Sequence, residues 1–277
     1  MASITKHTNS GVYGALKHNI RESPYPPSNE EIDLERTHLN YHLDSHGETA
    51  RDAKNYYNER MSEVYHYNRA DVKTCVQWVC TAPADLSKEE ESKFFQETYN
   101  YLNSIYGENN CVQCVVHYDE GIRVKDPITG ELQVEVGRPH LHYMAIPVVE
   151  NSKYGVPNSH GNITKMSQYA EKVCCDEKVT LHSLQTFHPK YQKWINDAGI
   201  HATVYKGGQG INLGVDQLKA VTKETGLVVT DLINERDALI EQVKTLESKT
   251  ERTVDAWGRD RNIDAWGRDR EDRTWNR

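Results

Sequence analysis

An α+β fold, an antiparallel sheet with helices packed on it, is what this 277-residue sequence predicts. Three observations predict it. Apolar, β-branched runs at 73–81, 111–117 and 140–147 read as strands. The stretch Arg123-Val-Lys-Asp126-Pro127-Ile-Thr129-Gly130-Glu131-Leu-Gln-Val-Glu-Val136 has alternating arms about an Asp-Pro-x-x-Gly turn, which is how a β-hairpin reads. Helical stretches alternate with the strands, the order of a sheet covered by helices.

Residues 1–9 read as a polar lead-in. From Ser10 a short helix is permitted, weakened by Gly11 and Gly14, that places His18, Arg21 and Glu22 on one face at i, i+3 and i+4. On these residues alone, a surface histidine beside an ion pair is the favoured reading. Pro24, Pro26 and Pro27 make 23–29 irregular. The stretch 34–43 offers Arg36, His38, Asn40 and Tyr41, which suit phosphate contact and base stacking or, equally, a loop docked on the core. Residues 48–70 look helical and polar. The strand 73–81 follows, and Ser87 with Glu90 gives a capping-box pattern opening a helix to about Tyr106. Beyond the hairpin, 164–173 and 189–198 read as helices, the second with Pro189 near its start, and 200–205 as a last short strand.

Three of the thirteen histidines organise the chain. Side chains on a strand alternate between faces, so His140 and His142 share a face across Leu141, and His117 shares one with Asp119. A hairpin at 121–138 returns the chain to where it left, which brings His117 to His140 and His142. Three neutral imidazoles with a carboxylate at hand suit a divalent transition metal such as manganese or zinc, with positions left open for water or substrate. Clustered histidines and carboxylates favour that reading over a wet sheet edge.

The same residues carry a resemblance. His140-Leu141-His142 looks like the signature of the HUH endonucleases. Together with His117-x-Asp119-Glu120, Pro139-His140, Lys17-His18-Asn19-x-Arg21 and His38-Leu39-Asn40-Tyr41, it resembles the Mob/Pre (MobV) relaxases of mobilisable plasmids over about residues 10–205. The family usually has only a few residues between the Glu and the Pro-His, so 121–138 is read as an insertion. The resemblance implies an HUH relaxase-like fold and an enzyme that nicks one DNA strand at an origin of transfer and stays covalently attached to it; its expected cytoplasmic location rests instead on the lack of a membrane-spanning run and of a signal-peptide core. It implies a divalent metal, manganese ahead of magnesium or zinc, at His117, His140 and His142. His18 would attack phosphorus, Arg21 would hold a phosphate oxygen, and Glu120 would orient a ligand or the nucleophile from behind. Lys17, Arg36, Asn40 and Tyr41 would contact single-stranded or supercoiled DNA. Two rivals remain open: a DNA-binding plasmid replication or copy-control protein with a structural metal site, and a metal-dependent hydrolase of a small phosphoester.

Composition bounds the remainder. A net charge of −8 argues against a large indiscriminate DNA footprint but leaves room for a local basic groove. No apolar run reaches the roughly 20 residues that span a bilayer, and the N-terminus lacks a signal peptide's apolar core. Six cysteines, four of them in apolar runs, read as buried free thiols in a reducing compartment; Cys111-x-x-Cys114 lacks the second pair a zinc knuckle needs. Residues 1–206 form the expected DNA-nicking domain and 207–214 a glycine-rich linker. Leu232, Leu239 and Leu246 recur every seven residues, so 215–252 is expected to be a helical extension, packed back on the domain or pairing two copies. The tail, 253–277, repeats Asp-Ala-Trp-Gly-Arg-Asp-Arg from Asp255 and again from Asp264, and is expected to be disordered.

Overall fold

The computed structural model describes residues 2–22, 31–125 and 132–205. The proline-rich connection, the hairpin's turn, the linker, the coiled-coil-like helix and the repeated tail lie outside them. The chain divides into two compact units, Met1–Ile122 with Val134–Gly208, and Arg123–Gln133 with Gln209–Arg277. The first unit carries the main sheet and the helices packed on it.

Its centre is a five-stranded antiparallel sheet in the order β1-β3-β7-β4-β2. These strands are β1 (Ala2–Thr8), β2 (Tyr41–His42), β3 (Lys73–Thr81), β4 (Cys111–His117) and β7 (His140–Ala145). Every residue of β4 and β7 is buried, which is why both read as near-continuous apolar runs. The intervening β5 (Gly121–Lys125) and β6 (Leu132–Val136) pair only with each other, as the hairpin pattern predicts. At its base Gly137 N–H donates to Glu120 O at 3.1 Å.

Helices cover both faces. On one lie α3 (Glu91–Tyr106), α5 (Leu181–Asp197) and the single-turn α4 (Cys175–Lys178), packed around Trp78, Leu141 and Tyr143, with Trp78 stacked on Phe187 at 3.9 Å. On the other, α1 (Asn9–Asn19) and α2 (Ala50–Glu63) press Val12, Leu16, Tyr57 and Met61 against Cys75, Val112 and Met144. A reciprocal Thr49–Asp52 capping box starts α2. The two faces differ in kind. Pairing sets Val79 opposite His142 and His117 opposite His140, so at one end of the sheet the α1/α2 face is polar.

Several expectations are corrected. The polar lead-in is the edge strand β1, whose Ile4 packs on the core while Ser3 and Thr5 face outward, a half-buried pattern suited to an edge. The helix expected at 164–173 is a 3-10 turn (Met166–Gln168) followed by β9 (Glu171–Val173), because the latter pairs with β8 (Val148–Glu150). The last helix starts eight residues before Pro189, at a Thr180–Ser183 capping box, and accommodates the proline internally. Residues 200–205 form no strand. Side chains take their backbone N–H groups instead: Asp85 accepts from Thr203, and Gln192 from Val204 and Tyr205. The six cysteines are free thiols, five of them buried. Among the described residues no helix is long and apolar enough to cross a membrane.

Candidate active site

The site forms where β4 ends beside the start of β7. His117 and His140 are register partners, and His142 lies two residues further along β7. Their ring centroids are 4.5 to 5.3 Å apart. Glu120 joins them, and one donor atom from each of the four residues lies within 4.8 Å of every other. Leu141 points to the opposite face, into the core. Strand alternation and hairpin return thus produce the cluster the sequence suggests.

Each imidazole is held from outside. His117 Nε2 donates to Asn19 O at 2.6 Å, and its Nδ1 accepts from Arg21 Nη2 at 3.0 Å and lies 3.7 Å from Glu120 Oε1. His140 Nδ1 donates to Arg138 O, and its Nε2 lies 3.3 Å from Glu120 Oε2. His142 Nδ1 meets the Gln77 side chain at 2.7 Å, and its Nε2 is buried with no hydrogen-bond partner. A buried polar nitrogen without a partner is unfavourable unless something else satisfies it. Three nitrogens and a carboxylate at this spacing fit a divalent metal ion, so the chain carries a group that can hold one.

Charge in the site is balanced by Arg21. Its side chain is 7% exposed and its guanidinium is fully engaged. Nε and Nη2 form a fork on Asp119 (2.9 and 2.6 Å), Nη2 also reaches Glu120 at 2.9 Å, and Nη1 donates to His18 O. The residue sits at φ +60°, a left-handed conformation that an L-residue adopts only where its surroundings demand it. Arg21, expected to hold a phosphate oxygen, neutralises Asp119 and Glu120 and donates to His117 Nδ1 at 3.0 Å. Burial alone would raise the Glu120 carboxyl, but the neighbouring His117 and His140 imidazoles and the Arg21 guanidinium hold it far below the usual carboxylate range. Glu120, expected to act from behind the ligands, lies close to all three imidazoles.

His18 ends α1 at the rim. Its side chain is 44% exposed, Nε2 is 3.7 Å from Glu120 Oε1, and its ring is 6.2 Å from that of His142. Partial burial and the charge of Arg21 lower its pKa, so the imidazole is neutral at pH 7. Lys17 next to it is half-buried, with Nζ 4.9 Å from the Tyr13 ring.

The remaining expected DNA contacts turn inward. Tyr41 pairs with Val116 and packs on the core of the opposite sheet face; burial first, then the Glu91 charge, push its phenol up to about 12. Arg36 Nε donates to Tyr118 O, and Asn40 Oδ1 accepts from Tyr118 N–H at 2.7 Å. Thr37 donates to Asp119, Asp33 N–H to Asp119 O, and Gly121 N–H to Glu31 O. Residues 31–41 thus strap the 118–121 turn in place. Sequence reasoning missed two buried amides, Gln77 and Gln113, because an amide inside an apolar run has no spacing signal of its own, and it quoted Asn19 only as part of a motif, without a role.

The family model for plasmid recombination enzymes (Mob_Pre) matches residues 1–209. The chain belongs to that family. Among curated relatives, a plasmid recombination enzyme of Streptococcus agalactiae is 30% identical over 164 residues, 55% of this chain and 28% of that protein. A type 1 plasmid recombination enzyme of Staphylococcus aureus is 26% identical over 59% of this chain and 38% of its own length. The chain therefore spans about a third of the length of these relatives. Among solved structures, the relaxase domain of MobM bound to plasmid pMV158 oriT DNA, Mn-bound at pH 6.8, is 22% identical, covering 80% of this chain and 97% of that one with a TM-score of 0.54. A second Mn-bound MobM complex, at pH 4.6, is 23% identical with the same TM-score. The five-stranded sheet with packed helices is the MobM relaxase fold.

Proposed function

We propose that this protein is a metal-dependent DNA relaxase that nicks one strand at a plasmid origin of transfer and keeps the strand on His18. The observation that carries the reading is the convergence of His117, Glu120, His140 and His142 on one point beside an exposed, neutral His18. Family membership and the oriT DNA in the MobM complexes support it.

His117, His140 and His142, with Glu120 at their centre, would hold the ion. Manganese is our first choice, with magnesium and zinc as alternatives, because nitrogen and carboxylate donors suit all three and the MobM structures are Mn-bound. When bound, the ion supplies Lewis acidity, polarising the scissile phosphate and offsetting charge on its oxygens.

The protein's own groups do the rest. His18 presents an imidazole lone pair, forming a P–N bond as the P–O3′ bond breaks and the 3′ oxygen leaves, taking a proton from solvent. The attacking ring becomes cationic and releases its proton to solvent, to which it is open. Glu120 is too weak a base to collect that proton and acts by charge, stabilising the cationic ring. Return of the 3′-hydroxyl to phosphorus reverses each change and rejoins the strand. Arg21 keeps Glu120 ionised and in place, and Lys17 at the rim meets the DNA backbone.

The working location is the cytoplasm, and the 215–252 segment is proposed as a helical extension that pairs two copies. Incubation with supercoiled plasmid carrying its own flanking DNA and Mn²⁺, followed by a denaturing gel, tests the activity. Nicked DNA with covalently attached protein is expected. Binding without nicking would return the chain to a DNA-binding role with a structural metal, and nicking without an adduct would make it a hydrolase.

A further inference from the structure

Two of the three imidazoles have outer partners that can only accept. His117 and His140 donate to backbone carbonyls, so each carries a lone pair rather than a proton on its inner nitrogen, that of His117 accepting from Arg21 Nη2 at 3.0 Å. His142 differs. Its Nδ1 meets a side-chain amide, which can present either an N–H₂ or an oxygen.

That amide belongs to a buried chain. His7 Nε2 lies 3.0 Å from Gln77 Oε1; Gln77 Nε2 donates to Asn19 Oδ1 (3.1 Å) and faces His142 Nδ1 (2.7 Å); Asn19 Nδ2 donates to Gln113 Oε1 (2.9 Å). Gln77 is 8% exposed, Asn19 0% and Gln113 1%. Two atoms in this region lack partners, Gln113 Nε2 and His142 Nε2. With an N–H₂ toward Nδ1, the His142 proton sits on Nε2, the atom left for the metal, where it blocks coordination.

We infer that in the metal-loaded protein the Gln77 amide presents its oxygen to His142, making Gln77 the residue that selects the ligating tautomer; this rests on the metal reading of the triad. A half-turn of each amide exchanges nitrogen and oxygen without moving the chain. His142 Nδ1–H and Asn19 Nδ2 then both donate to Gln77 Oε1, and Gln77 Nε2 donates to His7 Nε2. Gln113 Nε2 donates to Asn19 Oδ1, so the partnerless Gln113 donor is satisfied by the same rearrangement that frees His142 Nε2. Asn19 also accepts from His117 through its backbone oxygen, so this one residue supports two ligands. Its place beside His18 gives the asparagine of the Lys17-His18-Asn19 motif a role in holding two ligands.

Gln77 is a positioning residue, and metal affinity is its direct readout. Mn²⁺ titration calorimetry on wild type, Gln77→Met, Gln77→Glu and His142→Ala tests it, with metal-free melting curves checking that each variant folds. Loss of an outer partner to a metal-bound histidine weakens affinity by about 10–100-fold, which is the expectation for Gln77→Met. A glutamate carboxylate can only accept, so Gln77→Glu should bind at least as tightly as wild type. In the zinc-loaded wild type, ¹H–¹⁵N spectra should place the His142 proton on Nδ1. A folded Gln77→Met at wild-type affinity, a Gln77→Glu weakened tenfold or more, or a His142 proton on Nε2 each overturns the inference. Wild-type affinity in His142→Ala would instead overturn the metal reading itself.

Discussion

At the level of single residues, environment divides like groups into unlike roles. His18 and Tyr41 both belong to motifs that resemble a relaxase nucleophile's surroundings, yet His18 is exposed and neutral beside Glu120, while Tyr41 faces the far side of the sheet with its phenol raised to about 12. A phenol must lose its proton to attack, whereas a neutral imidazole already has a lone pair. His18→Ala should therefore abolish the covalent adduct and Tyr41→Phe should form it normally, as an acid-labile phosphoramidate on a denaturing gel; an acid-stable adduct lost only in Tyr41→Phe would reverse the assignment. The histidines also set an acid limit on stability. Burial lowers His142, His117 and His18 below the ordinary 6.5. The unfolded chain then binds protons that the folded one refuses, so stability is full above pH 6.5 and declines as pH falls below it. Melting temperatures of the metal-free protein between pH 8 and 5 should show this decline, and His142→Ala should flatten it. Superimposable profiles for the two proteins would show that His142 does not contribute.

At the level of elements, the site depends on how one turn is held between two others. Glu120 is fixed on one side by the 31–41 strap and on the other by Gly137, on which a Cβ would collide with the Glu120 carbonyl oxygen. Gly137→Ala must push the turn away, so Mn²⁺ affinity should drop while the metal-free melting temperature changes little, the sheet being paired elsewhere. Unaltered affinity in that variant would mean that the turn's position is not set there. This packing also explains what the sequence could and could not reveal. The triad was legible because strand alternation and hairpin return are local rules: His140-Leu141-His142 and the 121–138 arms suffice. Arg21 was not, since its partner Asp119 is 98 residues away and the adjacent Glu22 offered a nearer ion pair. Arg36, Asn40 and Tyr41 have the chemistry of DNA contacts, but Tyr118 and the core use those same groups. β1 and β9 were missed because edge and two-strand pairings are decided by partners distant in sequence, and the start of α5 because Thr180-x-x-Ser183 lacks the usual acidic third residue.

For the molecule as a whole, the site is assembled from regions far apart in sequence, and that links it to global stability. α1 supplies His18 and Asn19, β3 supplies Gln77, β4 and its turn His117 and Glu120, and β7 His140 and His142. A ligand that binds only this assembled state raises the melting temperature by mass action, about 2.7 kcal/mol at a hundredfold excess over Kd. Every one of these residues, with the hydrophobic clusters on both sheet faces, lies between Ala2 and Val204. Removal of 207–277 should consequently leave the Mn²⁺-dependent rise in melting temperature intact, along with cleavage of a short single-stranded oligonucleotide carrying the nick site. The proposed pairing of two copies through 215–252 predicts a different loss. Size-exclusion chromatography with light scattering should find the full chain as a dimer and the truncation as a monomer. A monomeric full chain would remove the pairing role from that segment, and a folded truncation that no longer cleaves the oligonucleotide would show that the 2–205 region is not a self-sufficient nicking domain.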